Sequence, residues 1–295
     1  MNLSKYLIHR LGEADTNHLW LDRFKSLSRE LIQEWWEKNK DYVDLVKSNF
    51  ERCTNLPFAE HEYKIMTGIA DHYGEKAFIA GDTDNVRSHF KNISYDPAIV
   101  SELKDKSTGK NILLMTLHSG GVEVIPTTMG FLGLHSAVFV NYKTNNARNG
   151  QISNAKKFGV RICDIKGNLK NDLLHFRRHP HVSMLVCDAF DYWKRTEKSV
   201  TTNLFSSECQ LDENVDCFAR LLNAEIYFAY MKRTGEITYD FIIEPVEAIN
   251  GRYITSVMKK YEDIVMKYPT EYYAWNEIHE LFTLTKKQCL EESSC

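Results

Sequence analysis

Residues 112–123 read Ile112-Leu113-Leu114-Met115-Thr116-Leu117-His118-Ser119-Gly120-Gly121-Val122-Glu123, and this stretch decides the fold. Its apolar first half predicts a β-strand, which stops at the histidine and turns through the serine and the two glycines. A strand that ends in this way places the imidazole at the rim of a sheet, where a cleft can form. The stretch therefore predicts a sheet with a histidine at its edge.

Glu123 follows His118 by five residues and falls in the first turn of the helix predicted after the glycines. From there its carboxylate can reach back to one ring nitrogen, fix the tautomer and leave the other nitrogen as a base. We therefore expect the two side chains to lie within hydrogen-bonding reach at a solvent-accessible cleft. The alternative is a satisfied histidine beside an ordinary acid of a first helical turn, and the motif alone does not separate the two.

The overall composition narrows the class of protein. A chain of 295 residues, of which 43% are hydrophobic, can bury one substantial core or two small ones. The net charge of -3 and the pI near 6.4 argue against a broad nucleic-acid-binding face. Residues 1–17 lack the apolar segment of a secretory signal, and no apolar run approaches the ~18 residues that span a bilayer. We expect a cytoplasmic protein, at most peripheral to a membrane, with no nucleic-acid partner.

The seven cysteines, at positions 53, 163, 187, 209, 217, 289 and 295, include no CxxC pair. Zinc ligation is therefore not indicated, and we predict neither a metal nor a cofactor. Such cysteines are typical of reduced thiols in a cytoplasm-like compartment. A cysteine nucleophile is a minor alternative, because none sits beside a suitable histidine and acid.

Residues 1–107 have a mostly helical pattern. Apolar side chains recur at three- and four-residue steps from Leu21 through Phe24 and Leu31 to Trp35, next to Trp36. This stripe packs in the core or rests in a membrane interface, and the core is the commoner outcome, because its polar face is mixed rather than basic. Asp96-Pro97 predicts the start of a helix that runs to about residue 106.

Residues 108–295 alternate between strands and helices, which predicts an α/β fold with a mixed, partly parallel sheet flanked by helices. We interpret the whole chain, 1–295, as a single domain in which 1–107 is the helical N-terminal part. The last two strands are close together and predict an antiparallel hairpin, and a final helical region covers 251–285. The predicted strands are 111–117, 136–141, 160–165, 181–187, 199–204, 224–231 and 237–245, and the predicted helices between them are about 121–132, 149–158, 168–178 and 211–222.

Further polar residues follow the predicted strands and would share the rim with His118. Ligand sites of open α/β sheets lie beyond the carboxyl ends of the strands. Lysine and arginine there suit an anion such as phosphate, although a solvated loop is an equal alternative. An acid after the fourth strand can cap the next loop instead, and small residues after the fifth can form an ordinary turn. The candidate substrate-binding residues are Tyr142, Lys143, Asn146, Arg148, Asp188 and Ser206.

The order of these pieces resembles the lysophospholipid-acyltransferase superfamily, and most closely the bacterial late acyltransferases of Kdo-lipid A. The resemblance covers about residues 110–282, and each motif in it is short. No spanning helix is visible, lysine stands at 143 where arginine is usual, and serine stands at 206 where glycine is usual. The matching residues are His118 to Glu123, Tyr142-Lys143 with Asn145 or Asn146, Gly159, Asp188, Leu204-Phe205-Ser206, and the segment from Pro269 through Trp275 to His279.

The resemblance implies acyl transfer from a thioester of acyl carrier protein or coenzyme A to a hydroxyl of a lipid acceptor such as lipid A. His118 would take the hydroxyl proton and Glu123 would hold the ring. Backbone amides of Ser119–Gly121 or of 205–207 would stabilise the oxyanion. Lys143 and Arg148 would bind phosphate of the acceptor or of the carrier's phosphopantetheine.

Two alternatives stay open. The first is transfer of an aminoacyl group, such as glycine, from a carrier protein to lipid A, and the second is a non-catalytic lipid- or carrier-binding module. In each case we expect peripheral contact with the cytoplasmic face of the inner membrane. The candidate contacts are the helix that carries Leu21, Phe24, Leu31, Trp35 and Trp36, and an apolar rim of the cleft.

Overall fold

The computed structural model describes residues 3–13, 20–140, 146–165, 167, 169–188 and 199–282. The helices are α1 (Leu3–Glu13), α2 (Leu21–Lys38), α3 (Lys40–Thr54), α4 (Glu62–Ala80), α5 (Thr83–His89), α6 (Pro97–Lys106), α7 (Ile125–Phe131), α8 (Asn146–Lys157), α9 (Leu169–Arg178), α10 (Asn214–Leu222) and α11 (Tyr253–Lys267). The strands are β1 (Ile93–Tyr95), β2 (Asn111–Thr116), β3 (Ser136–Val140), β4 (Arg161–Asp164), β5 (Val182–Val186), β6 (Ser199–Leu204), β7 (Ser207–Asp212), β8 (Ala224–Arg233) and β9 (Tyr239–Pro245).

The main sheet has seven strands in the order β1-β9-β8-β2-β5-β3-β4. Strands β8, β2, β5, β3 and β4 are parallel, whereas β9 pairs antiparallel with β8 and carries β1 beside it. The prediction of a mixed, partly parallel sheet flanked by helices is confirmed, as is the β8–β9 hairpin, and most of the sheet is parallel. Strand β1 was missed because three residues are too few to show a periodicity.

Strand β6 is a correction to the predicted sheet, because it pairs only with β7 in a separate two-stranded hairpin. The turn between them places Phe205 and Ser206 at φ of 49° and 58°. Two consecutive residues with positive φ form the tight turn that matches the twist of paired strands. Strand β7 was missed because its end was assigned to the helix predicted from residue 211.

Strand β2 is buried along its whole length. Its side chains alternate between two faces, so Leu113 and Met115 join one core cluster while Ile112 and Leu114 join the other. A strand that is covered on both faces needs a continuous apolar run rather than an alternating one. The run that identified this strand therefore reflects its central place in the sheet.

Helix α2 buries the apolar stripe that the sequence offers as a membrane contact. Leu21 is 1% exposed, Trp35 7% and Trp36 4%, and the helix packs against α4. The indole N–H of Trp36 donates to Glu62 Oε1 at 2.9 Å. The interfacial interpretation of this helix is therefore wrong, and its core interpretation is the one found.

The final predicted helix is shorter than expected. Helix α11 ends at Lys267, and the backbone of residues 268–278 turns irregularly instead of continuing to 285. The indole N–H of Trp275 donates to the carbonyl of Pro269 at 2.9 Å, and Tyr272 forms a backbone bridge with Ser119. This C-terminal segment therefore lies across the carboxyl end of β2, the place where His118 stands.

None of the helices in the described ranges combines the length and the apolar character that crossing a bilayer requires.

Replacing both Trp35 and Trp36 by glutamate is expected to unfold the protein, because it removes large buried rings and buries two charges without partners. Loss of a buried tryptophan alone costs about 3–5 kcal/mol, and an unpaired buried charge adds to that cost. Thermal melts followed by circular dichroism measure the change. Gln33→Glu, on the exposed side of the same helix, is the control that should melt like the parent chain. A double variant that kept its melting temperature and merely left the membrane fraction would contradict the burial.

Candidate active site

His118 stands at the carboxyl end of β2, and its side chain is 25% exposed. Its Nδ1 lies 2.9 Å from Oδ1 of Asp188, which follows the neighbouring parallel strand β5. The geometry is that of an ion pair rather than of a well-aligned hydrogen bond. The buried Asp188 carboxylate also accepts the backbone N–H of His118, at 3.2 and 3.0 Å. Because Nδ1 faces an acceptor, Nε2 is the nitrogen that can take a proton from a substrate.

The charges around His118 favour its protonated form. Burial of the ring lowers its pKa, but the Asp188 carboxylate outweighs that effect, and the net pKa is raised above the ordinary value. Glu277 and Glu123 add smaller contributions in the same direction. A base with a raised pKa accepts a proton readily and holds the resulting cation against a fixed carboxylate.

Glu123 lies in the short turn of 3-10 helix at Val122–Val124, and its side chain is 22% exposed. Its Oε2 accepts from Gln151 Nε2 at 2.8 Å. Its Oε1 lies 3.6 Å from both His72 Nε2 and Lys76 Nζ, two residues of α4. The carboxylate is thus shared with the neighbouring helices.

The acid in contact with Nδ1 of His118 is therefore Asp188, whereas the sequence predicts Glu123 in that role. Asp188 is predicted from the sequence to bind substrate, and the structure places its buried carboxylate against the imidazole ring. Glu123 acts on the ring through its charge, which raises the pKa of His118. A hydrogen bond between His118 and Glu123 stays a prediction.

Two aromatic rings from distant parts of the chain lie near His118: Tyr273 contacts its ring, and His72 contacts Tyr273. The ring of Tyr273 meets the imidazole edge to face with centroids 5.3 Å apart, and its backbone N–H donates to the His118 carbonyl at 3.1 Å. The ring of His72 stacks on that of Tyr273 with centroids 3.5 Å apart. Burial lowers the pKa of His72 to about 3, so this imidazole is neutral. The helical pattern of α4 carried no signal for His72, whereas Tyr273 lies within the segment of the resemblance.

The conformation of the turn Ser119–Gly121 is fixed by a glycine with positive φ and by backbone hydrogen bonds. At Gly120, φ is +55° and a Cβ would collide with the carbonyl oxygen of Met231, so only glycine fits. All three N–H groups of the turn donate to carbonyl oxygens, which are those of Leu117, Glu271 and Met231 at 2.8, 3.2 and 2.8 Å. The expectation that these amides stabilise an oxyanion is therefore wrong, because the fold already uses them.

A buried ion cluster of Lys25, Glu75 and Arg233 is hydrogen-bonded to the same turn. Arg233 donates to Oε1 and Oε2 of Glu75 at 2.8 and 2.9 Å, and to the Gly120 carbonyl at 2.8 Å. The Tyr239 hydroxyl donates to Glu75 at 2.7 Å, and Lys25 Nζ lies 3.2 Å from the same carboxylate. Burial raises the pKa of Glu75, but the two cations outweigh it and bring that pKa down to about 2. The cluster thus links α2, α4 and β8 to the turn beside His118.

The predicted anion-binding residues cannot be placed in the site. Tyr142 and Lys143 lie outside the described residues. Asn146 and Arg148 belong to the first turn of α8, and their side chains lie outside the description as well. Their role in binding phosphate stays a prediction.

Ser206 is exposed at the tip of the β6–β7 turn. Its neighbour Phe205 is buried and packs edge to face against Tyr261, whose hydroxyl donates to that of Tyr272 at 3.1 Å. The connection between this turn and the site therefore runs through aromatic packing, and a direct role of Ser206 in substrate binding stays a prediction.

The four buried cysteines of the described chain are poor nucleophiles. Burial raises the pKa of Cys187 well above its ordinary value, although it directly precedes Asp188. Burial also raises the pKa of Cys53 and Cys163 to about 12 and that of Cys209 to about 11. Within the described ranges, no three histidine, cysteine or acidic side chains converge on a point that could hold a metal ion.

No family model matches the chain, and no significantly similar protein was found among curated sequences. The geometry around His118 and the order of the sequence motifs are therefore the basis of a functional assignment.

Glu75→Gln is expected to destabilise the protein strongly, because it leaves Lys25 and Arg233 buried without a carboxylate. Breaking a buried ion pair in this way costs about 3–5 kcal/mol. Denaturant unfolding measures it, with Glu34→Gln as the control, since Glu34 pairs with Lys38 on the exposed face of α2 and its loss should leave the midpoint unchanged.

The same carboxylate makes the stability depend on pH. The folded pKa of about 2 lies below the ordinary 4.5, so its contribution is complete above pH 4.5 and is lost as the pH falls towards 2. Parent and variant should therefore differ least in acid. A difference in unfolding free energy that stayed constant from pH 6 to pH 3 would rule out this account.

Proposed function

We propose that the protein is an acyltransferase that moves an acyl group from a thioester donor to a hydroxyl of a lipid acceptor. The observation that carries the proposal is the partly exposed imidazole of His118 with its Nδ1 against the buried carboxylate of Asp188. A histidine held in this way can act as a general base: the fixed carboxylate orients the ring through Nδ1, and Nε2 faces the substrate.

In the proposed reaction, Nε2 of His118 takes the proton of the acceptor hydroxyl while the hydroxyl oxygen attacks the thioester carbonyl. The tetrahedral intermediate collapses when its carbon–sulfur bond breaks, and the imidazolium returns the proton to the leaving thiolate. The products are an ester and a free thiol, and the histidine is regenerated. Asp188 stabilises the imidazolium between the two proton transfers, so no covalent enzyme intermediate is required.

Lys76 is a partly buried cation beside Glu123. Its Nζ lies 3.6 Å from Glu123 Oε1, and its side chain is 13% exposed. At that distance the pair is loose, so the ammonium can turn towards a negatively charged group of a substrate. We propose that Lys76 shares the anion-binding role assigned from the sequence to Lys143 and Arg148.

The acceptor and donor classes rest on the order of motifs that resembles the late lipid A acyltransferases. That resemblance supports a carrier protein or coenzyme A as donor and lipid A as acceptor, at the cytoplasmic face of the inner membrane. Because α2 buries its tryptophans, we propose that the membrane contact comes from the rim of the cleft. The donor group is a fatty acyl chain in this proposal.

His118→Gln is expected to lower the turnover number by about 10²–10⁴, the usual loss when a general base is removed. The measurement is acyl transfer from acyl carrier protein to lipid A in mixed micelles, with the product read by mass spectrometry. Asp188→Asn should also lower the turnover, because the carboxylate stabilises the imidazolium. His9→Gln, on the exposed face of α1, is the matched control and should react like the parent.

The same assay separates the competing functions. A mass shift of a glycyl residue would replace the fatty acyl donor by an aminoacyl donor. Full activity in His118→Gln would overturn the mechanism, and a parent chain that bound the carrier protein without any turnover would establish a binding module instead.

The pH dependence of kcat/KM should report the raised pKa of His118. The base works only when neutral, so activity falls as the pH falls through that pKa, which lies above the ordinary 6.5. Asp188→Asn removes the largest favourable charge, so its acidic limb should move to lower pH while its plateau drops. An acidic limb that stayed in place in the variant would mean that another group titrates.

A further inference from the structure

A cavity of about 320 Å³ opens at the amino-terminal end of the parallel strands, the end of the sheet opposite to His118. It lies where parallel strands begin rather than where they end, since His135 precedes β3, His181 precedes β5 and Arg161 starts β4. The ends of α8 and α9 complete it. The side chains that matter for its chemistry are His135, Ser136, Lys156, Arg161, His175 and His181.

The lining of this cavity is cationic, and no acidic residue belongs to it. Arg161 donates to Asp172 Oδ1 at 2.7 Å, so its charge is partly balanced. Lys156 has no ion-pair or hydrogen-bond partner in the described part of the chain. An alternative role for Lys156 is to offset the dipole of α8, because it lies in the last turn of that helix. That role does not explain why the lysine lines a cavity together with histidines.

The histidines are arranged so that one buried imidazole can serve a ligand. His181 is 3% exposed, and its Nδ1 contacts the carbonyl of His179. A carbonyl only accepts, so Nδ1 must carry a proton and Nε2 is left for another partner. The ring of His135 lies against that of His181 at a tilt of 32°, with centroids 3.8 Å apart, and the His175 ring centroid lies 5.6 Å from that of His181.

A buried hydroxyl adds an independent sign of a missing partner. Ser136 is 1% exposed, and its Oγ has no hydrogen-bond partner within the described residues. Buried hydroxyls are normally satisfied. A metal does not suit the place, because the three lining histidines do not converge on one point in the described structure.

We propose that this cavity binds a phosphoryl group or an equivalent tetrahedral oxyanion. Lys156 and Arg161 supply charge, the histidines donate N–H groups when protonated, and Ser136 supplies a hydroxyl. The site is separate from the chemistry at His118, so it stands whether or not the acyltransferase proposal does.

Binding should be coupled to proton uptake. Burial lowers the pKa of His181 to about 4, and the neighbouring charges of His135, His175 and Arg161 act in the same direction. The contact with the His179 carbonyl acts in the opposite direction and raises that pKa. The nearby acid Asp172 of α9 is paired with Arg161. A bound anion reverses the repulsion and favours the imidazolium, so affinity should rise as the pH falls.

The test uses sulfate with the full-length chain, because sulfate keeps its charge between pH 5 and pH 8. Isothermal titration at constant ionic strength should give saturable binding that tightens by up to about tenfold per pH unit where one proton is linked. Titrations in buffers with different ionisation heats should show proton uptake. Parallel titrations with inorganic phosphate and with phosphatidic acid vesicles show whether the group comes from a free ion or from a lipid headgroup.

Neighbouring lysines supply the matched pair of variants. Lys156→Ala should weaken sulfate binding by about fivefold or more, whereas Lys157→Ala should leave it unchanged, because Lys157 donates to Thr83 instead. His135→Ala, at an exposed position, should reduce both the affinity and the proton uptake. The proposal falls if no saturable binding occurs, if both lysine variants behave alike, or if affinity rises with pH.

Discussion

The buried ion pairs of the Glu75 carboxylate are the interaction on which the arrangement around His118 depends. This carboxylate lies in the interior with Arg233, Lys25 and the Tyr239 hydroxyl around it. Taking these charges out of water is expensive, and the cost is offset only while every partner stays in place. Arg233 also donates to the Gly120 carbonyl, so the cluster that balances its own charges also fixes the path of the chain just after the histidine.

The parallel pairing of the strands then brings His118, Asp188 and Arg233 together at one edge of the sheet. Strand β5 inserts between β2 and β3, so Asp188 becomes the direct neighbour of His118 although about seventy residues separate them in the sequence. Strand β8 flanks β2 on the other side and delivers Arg233. His118, Asp188 and Arg233 thus come from three adjacent strands, and polar side chains at the carboxyl ends of parallel strands are where open α/β sheets place their ligand sites.

The sequence was sufficient for most strands of the main sheet and for the place of His118 at its edge, but not for the residues that contact this histidine. The apolar run of β2 marks a strand covered on both faces, and the glycines after His118 mark a tight turn. Strand order is a tertiary property, however, so nothing local separates Asp188 from Glu123 as the acid beside Nδ1. His72 and Glu75 were missed for a related reason, because α4 buries charged and apolar side chains together and so lacks a clean amphipathic stripe.

The segment after α11 has a consequence for how the protein is made. Tyr273 covers one side of His118 and binds its carbonyl, and Tyr272 bridges to Ser119. Strand β2 leaves the ribosome long before Tyr272 and Tyr273 do. Contacts between residues so far apart in the sequence form late in folding. A nascent chain therefore contains His118 before the aromatic residues that pack against it, and these contacts become possible only after Tyr272 and Tyr273 have left the ribosome.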